Sequence, residues 1–119
     1  MSVACGTGKH REHDVYMEQC PCRDILEVLA NKWSALAIGA LADGPQRYGH
    51  LRRRLERIAP KVLTSTLRRL EEYGFVERTV YAEVPVRVEY ALTELGRSVA
   101  VPLEALRHWV EEHADAIRA

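Results

Sequence analysis

The sequence predicts an α+β fold, mainly α: a winged helix-turn-helix with additional N- and C-terminal dimerisation helices. Apolar residues recur at helical spacing through several stretches after residue 20. Two β-rich alternating segments, residues 75–81 (FVERTVY) and 87–92 (RVEYAL), are joined by AEVPV and read as an antiparallel hairpin. Helices before the hairpin and one after it give the order helix, helix, helix, helix, two-stranded wing, helix.

Residues 1–17 have no hydrophobic period and contain Gly6 and Gly8, so they read as a flexible arm preceding a domain over residues 18–119. Pro21 opens the first helix, where its missing N–H costs nothing, and Ile25, Val28 and Leu29 form the apolar face. Asn31-Lys32 loosens that pattern. Trp33, Leu36, Ala37, Ala40 and Leu41 then make a second, more buried helix that ends at Ala42-Asp43-Gly44-Pro45. A short third helix spans Tyr48–Leu55, and Glu56–Ala59 is a turn. Pro60 opens the fourth helix, KVLTSTLRRLEEY, which Gly74 closes. Thr93 caps the last helix, with Glu94 in its first turn; Leu95, Val99, Leu103, Leu106, Val110 and Ile117 are its apolar positions, and Gly96 and Pro102 are candidate breaks. Those apolar positions exceed what one small domain can cover, so a homodimer held by helices near both termini is expected.

At 119 residues, 47% hydrophobic and 29% charged, the composition is that of an ordinary globular domain. No apolar run approaches the ~18 residues of a membrane-spanning helix, and MSVACGTGKHREHD has no hydrophobic core of a secretory signal. Three cysteines (Cys5, Cys20, Cys22) cannot all pair within one chain, which argues for free thiols and a cytoplasmic location. Formal charge is zero, but Arg47, Arg52, Arg53, Arg54, Arg57, Lys61, Arg68 and Arg69 stand against Glu56 alone, so residues 47–69 carry +7 and the remainder −7. On the fourth helix, Leu63, Leu67 and Leu70 share the core face. Lys61, Thr64, Ser65, Arg68 and Glu72 collect opposite, with Arg69 at the edge, and the hydroxyls and cations among them suit phosphates and base edges in a major groove of double-stranded DNA. Arg52, Arg53 and Arg54 on the third helix are expected to hold the DNA backbone, and Arg78 and Arg87 to act from the wing. No Gly-rich phosphate loop, HExxH or nucleophile elbow points to an enzyme, and no cofactor is expected.

The stretches CPCRDILEVLANKWSALAIGAL, GPQRYGHLRRRL, IAPKVLTSTLRRLEEYGFVERTVY and EVPVRVEYALTELGRSV together resemble the HxlR-type regulators, a branch of the MarR-like winged-helix transcription factors. The hallmarks appear as Cys20-Pro21 and Asn31-Lys32-Trp33, and the likeness covers roughly residues 20–115. It implies a dimeric transcription regulator that binds a palindromic operator and dimerises through its first and last helices. Asn31 stands where Gly is common, Ala59 where a Ser-type cap is common, and Gly49 lies inside the short third helix.

The resemblance places Cys20 on the cysteine that some members use to sense oxidants and electrophiles. The residues themselves leave two roles open. As N-cap before Pro21, Cys20 sits where backbone N–H groups and the helix dipole favour a thiolate, helped by Arg23 and opposed by Asp24 and Glu18. It could equally be an inert cap that packs as a small hydrophobe. Cys20 is expected to be the most oxidant-sensitive of the three thiols, with its modification changing DNA affinity, and a Cys20–Cys22 disulfide is disfavoured by the rigid proline between them. His10, His13, Cys20 and Cys22 supply four ligands of the right type for zinc, but their spacing matches no known zinc module, so no metal is expected. A protein–protein module using the basic face, or a small-ligand effector site near Trp33 and Trp109, are the rival readings.

Overall fold

The computed structural model describes residues 13–117, so Cys5, His10 and most of the expected arm lie outside the described residues. The element order is α1 (Pro21–Leu29), α2 (Lys32–Leu41), β1 (Gln46–Arg47), α3 (Tyr48–Arg54), α4 (Pro60–Glu72), β2 (Val76–Tyr81), β3 (Arg87–Leu92) and α5 (Glu94–His113), followed by a 3-10 turn over Ala114–Ala116. This is the expected winged helix-turn-helix, with α3 and α4 as its two helices.

Two expectations are corrected. The wing has three strands, because β1 pairs antiparallel with β3 (Gln46 opposite Tyr90, Arg47 opposite Glu89) and gives the order β1-β3-β2. Two residues are too few to show an alternation, so the strand exists only by virtue of its partner. The last helix is also unbroken by Gly96 and Pro102. Pro102 is exposed, and the helix absorbs it. Gly96 is buried, and a Cβ there would overlap the Phe75 carbonyl and crowd Leu92. The glycine therefore marks where α5 lies directly on the backbone leading into β2.

Local chemistry accounts for the boundaries. Asn31, read from sequence as a loosening of the pattern, is the N-cap of α2: its side chain accepts from the N–H groups of Trp33 (2.8 Å) and Ser34 (3.4 Å). Ala59 caps α4 without any side-chain bond, as expected for alanine. Gly74, at φ 85°, closes α4; its N–H donates to Glu71 and that of Phe75 to Leu70 (2.9 Å), which satisfies the last carbonyls. Thr93 accepts from Gly96 N–H at 3.0 Å and donates to the Gly74 carbonyl, which ties the start of α5 to the end of α4.

The core gathers Ala37, Ile38 and Leu41 from α2, Leu51 and Leu55 from α3 and the turn after it, Leu63, Leu67 and Leu70 from α4, Phe75 just before β2, and Val76 and Leu92 from the sheet. Ile25, Leu29, Val99 and Leu103 pack partly buried against it.

Gly96→Ala should destabilise the fold by about 1–3 kcal/mol, the usual cost of overpacking a site that cannot relax. Chemical denaturation would show it as a lower midpoint at unchanged slope; an unchanged midpoint would mean that α5 is free to move away from Phe75.

Candidate nucleic-acid interface

The leucine stripe sets the orientation of α4. With Leu63, Leu67 and Leu70 at most 1% exposed, Lys61, Thr64, Ser65, Arg68 and Arg69 all stand on the exposed side. Pro60, Lys61, Thr64, Ser65 and Arg68 line one shallow surface depression. Lys61, Ser65 and Arg69 also border a groove whose other wall is Glu27, Asn31 and Trp33. The sequence-predicted face of α4 is therefore assembled as one surface.

Tyr48 at the start of α3, which sequence reading placed only as a helix end, connects the two helices. Its hydroxyl lies 3.1 Å from the Pro60 carbonyl oxygen, to which it donates, and 3.2 Å from Thr64 Oγ1. A tyrosine twelve residues before the opening proline of α4 carries no sequence signal for this role; only the tight α3–α4 turn reveals it. Within that turn Arg57 adopts φ 71°, a left-handed conformation uncommon for a residue with a Cβ.

The three consecutive arginines of α3 do not form one patch. Arg53 shares a cleft with Arg47, His50 and Glu89 at the base of the wing. Arg54 instead borders a groove with Trp33, Leu36, Arg107 and Glu111, on the side of α2 and α5. Neighbours on a helix are turned about 100° apart, so such a separation is required of them. Arg52 is exposed.

The wing arginines also differ. Arg78 on β2 is exposed. Arg87 is bridged to Glu83 (3.0 Å) and Glu89 (3.3 Å), and its guanidinium lies 4.0 Å from the centre of the Tyr81 ring. Its charge is answered within the wing, so it braces the hairpin rather than presenting a free cation.

At the start of α1, the expectation that Cys20 and Cys22 do not pair is corrected. Cys20 and Cys22 are joined in a disulfide, and no free cysteine remains among the described residues. Cys20 keeps an extended backbone (φ −77°, ψ 125°) as N-cap while Pro21 and Cys22 enter the helix, and this change of direction brings the two Cα atoms to 5.3 Å, within bridging range. The proline thus sets up the closure it was expected to oppose. Cys20 makes no side-chain cap bond and is only 2% exposed, so it is not the open thiolate at a helix start; Cys22 is the more accessible sulfur. The turn before α1 is held by Met17 N–H donating to Asp14 and Cys20 N–H to Met17. It carries His13 back over the helix start, where Nδ1 is 3.9 Å from Cys20 Sγ.

A wing beside a two-helix unit whose second helix exposes hydroxyls and cations defines a winged helix-turn-helix regulator. The chain belongs to the HxlR-like helix-turn-helix family, whose profile matches residues 28–118. It is 39% identical over 101 residues to the HTH-type transcriptional regulator YtfH of Escherichia coli K12, covering 85% of this chain and 80% of that one. Among solved structures it is similar to the transcriptional regulator YtfH from Salmonella typhimurium, with TM-score 0.83 and 38% identity over 88% of this chain and 94% of that one. It is also similar to the redox regulator HypR in its oxidized form, with TM-score 0.73 and 36% identity over 84% of this chain and 99% of that one. The protein is a transcriptional regulator of helix-turn-helix type and not an enzyme. No helix among the described residues is long and apolar enough to cross a membrane.

Tyr48→Phe removes the hydroxyl between α3 and α4 and should cost about 0.5–1.5 kcal/mol, the net value of a neutral hydrogen bond. Thermal unfolding would register it; an unchanged melting temperature would show that the contact to Pro60 and Thr64 contributes nothing.

Proposed function

We propose that the protein is a cytoplasmic, homodimeric, sequence-specific DNA-binding regulator whose α4 enters the major groove of a palindromic operator. The observation that supports it is the grouping of Lys61, Thr64, Ser65 and Arg68 on one exposed surface behind a fully buried leucine stripe. Arg69 flanks this surface, Arg52 and Arg53 hold phosphates from α3, and Arg78 reaches the duplex from the wing. Arg87 contributes by fixing the wing's shape, and Arg54 stands farthest from this arrangement, toward α5.

Dimerisation rests on the apolar surface that the protomer leaves uncovered. Leu95, Leu106, Trp109 and Val110 of α5 are 47–59% exposed, and Leu26 of α1 is 49% exposed. Such side chains on helices near both termini suit a self-complementary interface. The regulator further responds to oxidants or electrophiles through Cys20, acting as a pair with Cys22. The disulfide supports this, as does likeness to a protein described as a redox regulator.

Arg68→Ala should remove roughly 1–3 kcal/mol of preference for operator over random DNA, whereas Arg53→Ala should weaken both alike and lower the salt slope by about 1. Binding titrations at several salt concentrations on operator selected from a random library measure both. An Arg68→Ala protein that keeps its preference would overturn the assignment of α4 as the reading helix. Sedimentation at micromolar concentration should show a dimer, and a stable monomer would remove the basis for a palindromic site.

A further inference from the structure

The sulfurs of Cys20 and Cys22 and a ring nitrogen of His13 lie within 4.8 Å of one another. We propose that these three residues form a zinc(II) site when the disulfide is reduced. Two thiolates and an imidazole are a donor set that zinc takes in open sites, with the fourth position left to water. Donor atoms on a tetrahedral zinc stand about 3.5 Å (sulfur to nitrogen) to 3.8 Å (sulfur to sulfur) apart, given bonds of roughly 2.3 Å to sulfur and 2.0 Å to nitrogen. The 3.9 Å between His13 Nδ1 and Cys20 Sγ is about 0.4 Å longer than the sulfur–nitrogen value, a gap that a small rotation of the exposed His13 side chain closes. Once the sulfur–sulfur bond is broken, rotation about the two Cα–Cβ bonds separates the sulfurs to the sulfur–sulfur value.

The surroundings suit an ion that enters and leaves. Cys20 is the buried inner ligand, Cys22 is half-buried and His13 is exposed, so burial falls from the inner ligand outward. The hydrogen-bonded turn over Asp14–Cys20 fixes His13 above the helix start without drawing on any residue of the DNA-facing surface.

The same two sulfurs cannot hold both bonds. Opening the disulfide takes two electrons and two protons from a dithiol reductant, which leaves as its own disulfide. The reductant's thiolate attacks the more accessible Cys22 sulfur, and Cys20 departs as thiolate. Zinc binding then displaces the remaining thiol protons. In reverse, hydrogen peroxide accepts two electrons from the two zinc-bound thiolates and, with two protons, becomes two waters; the disulfide re-forms and zinc is released. Zinc occupancy is thereby gated by the redox state of the pair.

The test uses the full chain carrying Cys5→Ser, so that Cys20 and Cys22 are its only thiols. Reduced anaerobically and freed of reductant, it should develop a thiolate-to-cobalt charge-transfer band with cobalt(II), which zinc bleaches stoichiometrically. Peroxide should abolish the band as the disulfide returns by mass. His13→Ala should lower zinc affinity by at least about 10-fold, and Cys22→Ser should halve the charge-transfer intensity. Circular dichroism confirms the fold of each variant, and His13→Ala alone decides the matter if Cys22→Ser does not fold. Absence of the band in the reduced chain, or a zinc affinity unchanged in His13→Ala, would overturn the proposal. No DNA is present, so failure here leaves the regulator reading standing, and failure of DNA binding leaves this one standing.

Discussion

Helix α2 is apolar on nearly every side, and the rest of the molecule is arranged to cover it. Ala37 and Ile38 are fully buried, and Ala40 and Leu41 nearly so. A helix of this kind cannot lie at a surface, so neighbours must supply apolar stripes to it. Helix α4 does so with Leu63, Leu67 and Leu70, and this contact fixes its rotation about its own axis. Once three leucines point inward, Lys61, Thr64, Ser65 and Arg68 have no choice but to point outward. The presentation of the basic face is thus a consequence of core packing, not of any polar contact made by that face.

That dependence explains what could be read from the sequence. The leucine spacing of α4, the Gly74 stop and the Thr93 cap are signals carried within one turn of helix, and each appears where its chemistry places it. Features that need a distant partner were silent. Strand β1 exists only beside β3, and Gly96 looks like a helix breaker until Phe75 is seen beneath it. Arg87 looks like a free cation until the hairpin brings Glu83 and Glu89 to it. The Cys20–Cys22 bond is hidden for another reason: proline stiffness is visible in the sequence, but the change from extended to helical backbone at the cap, which sets the Cα separation, is not.

Charge is placed as economically as apolar surface. The +7 of residues 47–69 is cancelled by −7 elsewhere, so the chain has no net charge to act over distances beyond the ~8 Å screening length of physiological salt. The wing adds to this restraint, since Glu83 and Glu89 consume the charge of Arg87. A protein built this way gains little from long-range attraction to polyanions, and its attraction to phosphate acts at short range through the exposed cations of residues 47–69. On the proposed reading its discrimination must come from short-range contacts of α4, and the few exposed cations there carry a larger share of binding than in a uniformly basic domain.

Helix α1 is lightly anchored. Val28 is its one buried residue among those described, with Ile25 and Leu29 only partly covered, and its exposed Leu26 faces away from the core. A helix with so few buried apolar contacts belongs to the low-stability end of a structure, where a modest chemical change can shift its position. The Cys20–Cys22 pair sits at its first turn, and Asn31 at its far end hands the chain directly to α2. Movement of α1 would be felt in two places: at the apolar surface proposed for dimer contact, and at the groove where Glu27 and Asn31 face Lys61, Ser65 and Arg69. In a two-fold dimer the spacing of the reading helices must match half-sites about 34 Å apart. On the proposed reading, a thiol reaction confined to one turn of α1 needs no long relay to reach DNA affinity, because that helix borders α4 and carries part of the apolar surface proposed for dimer contact.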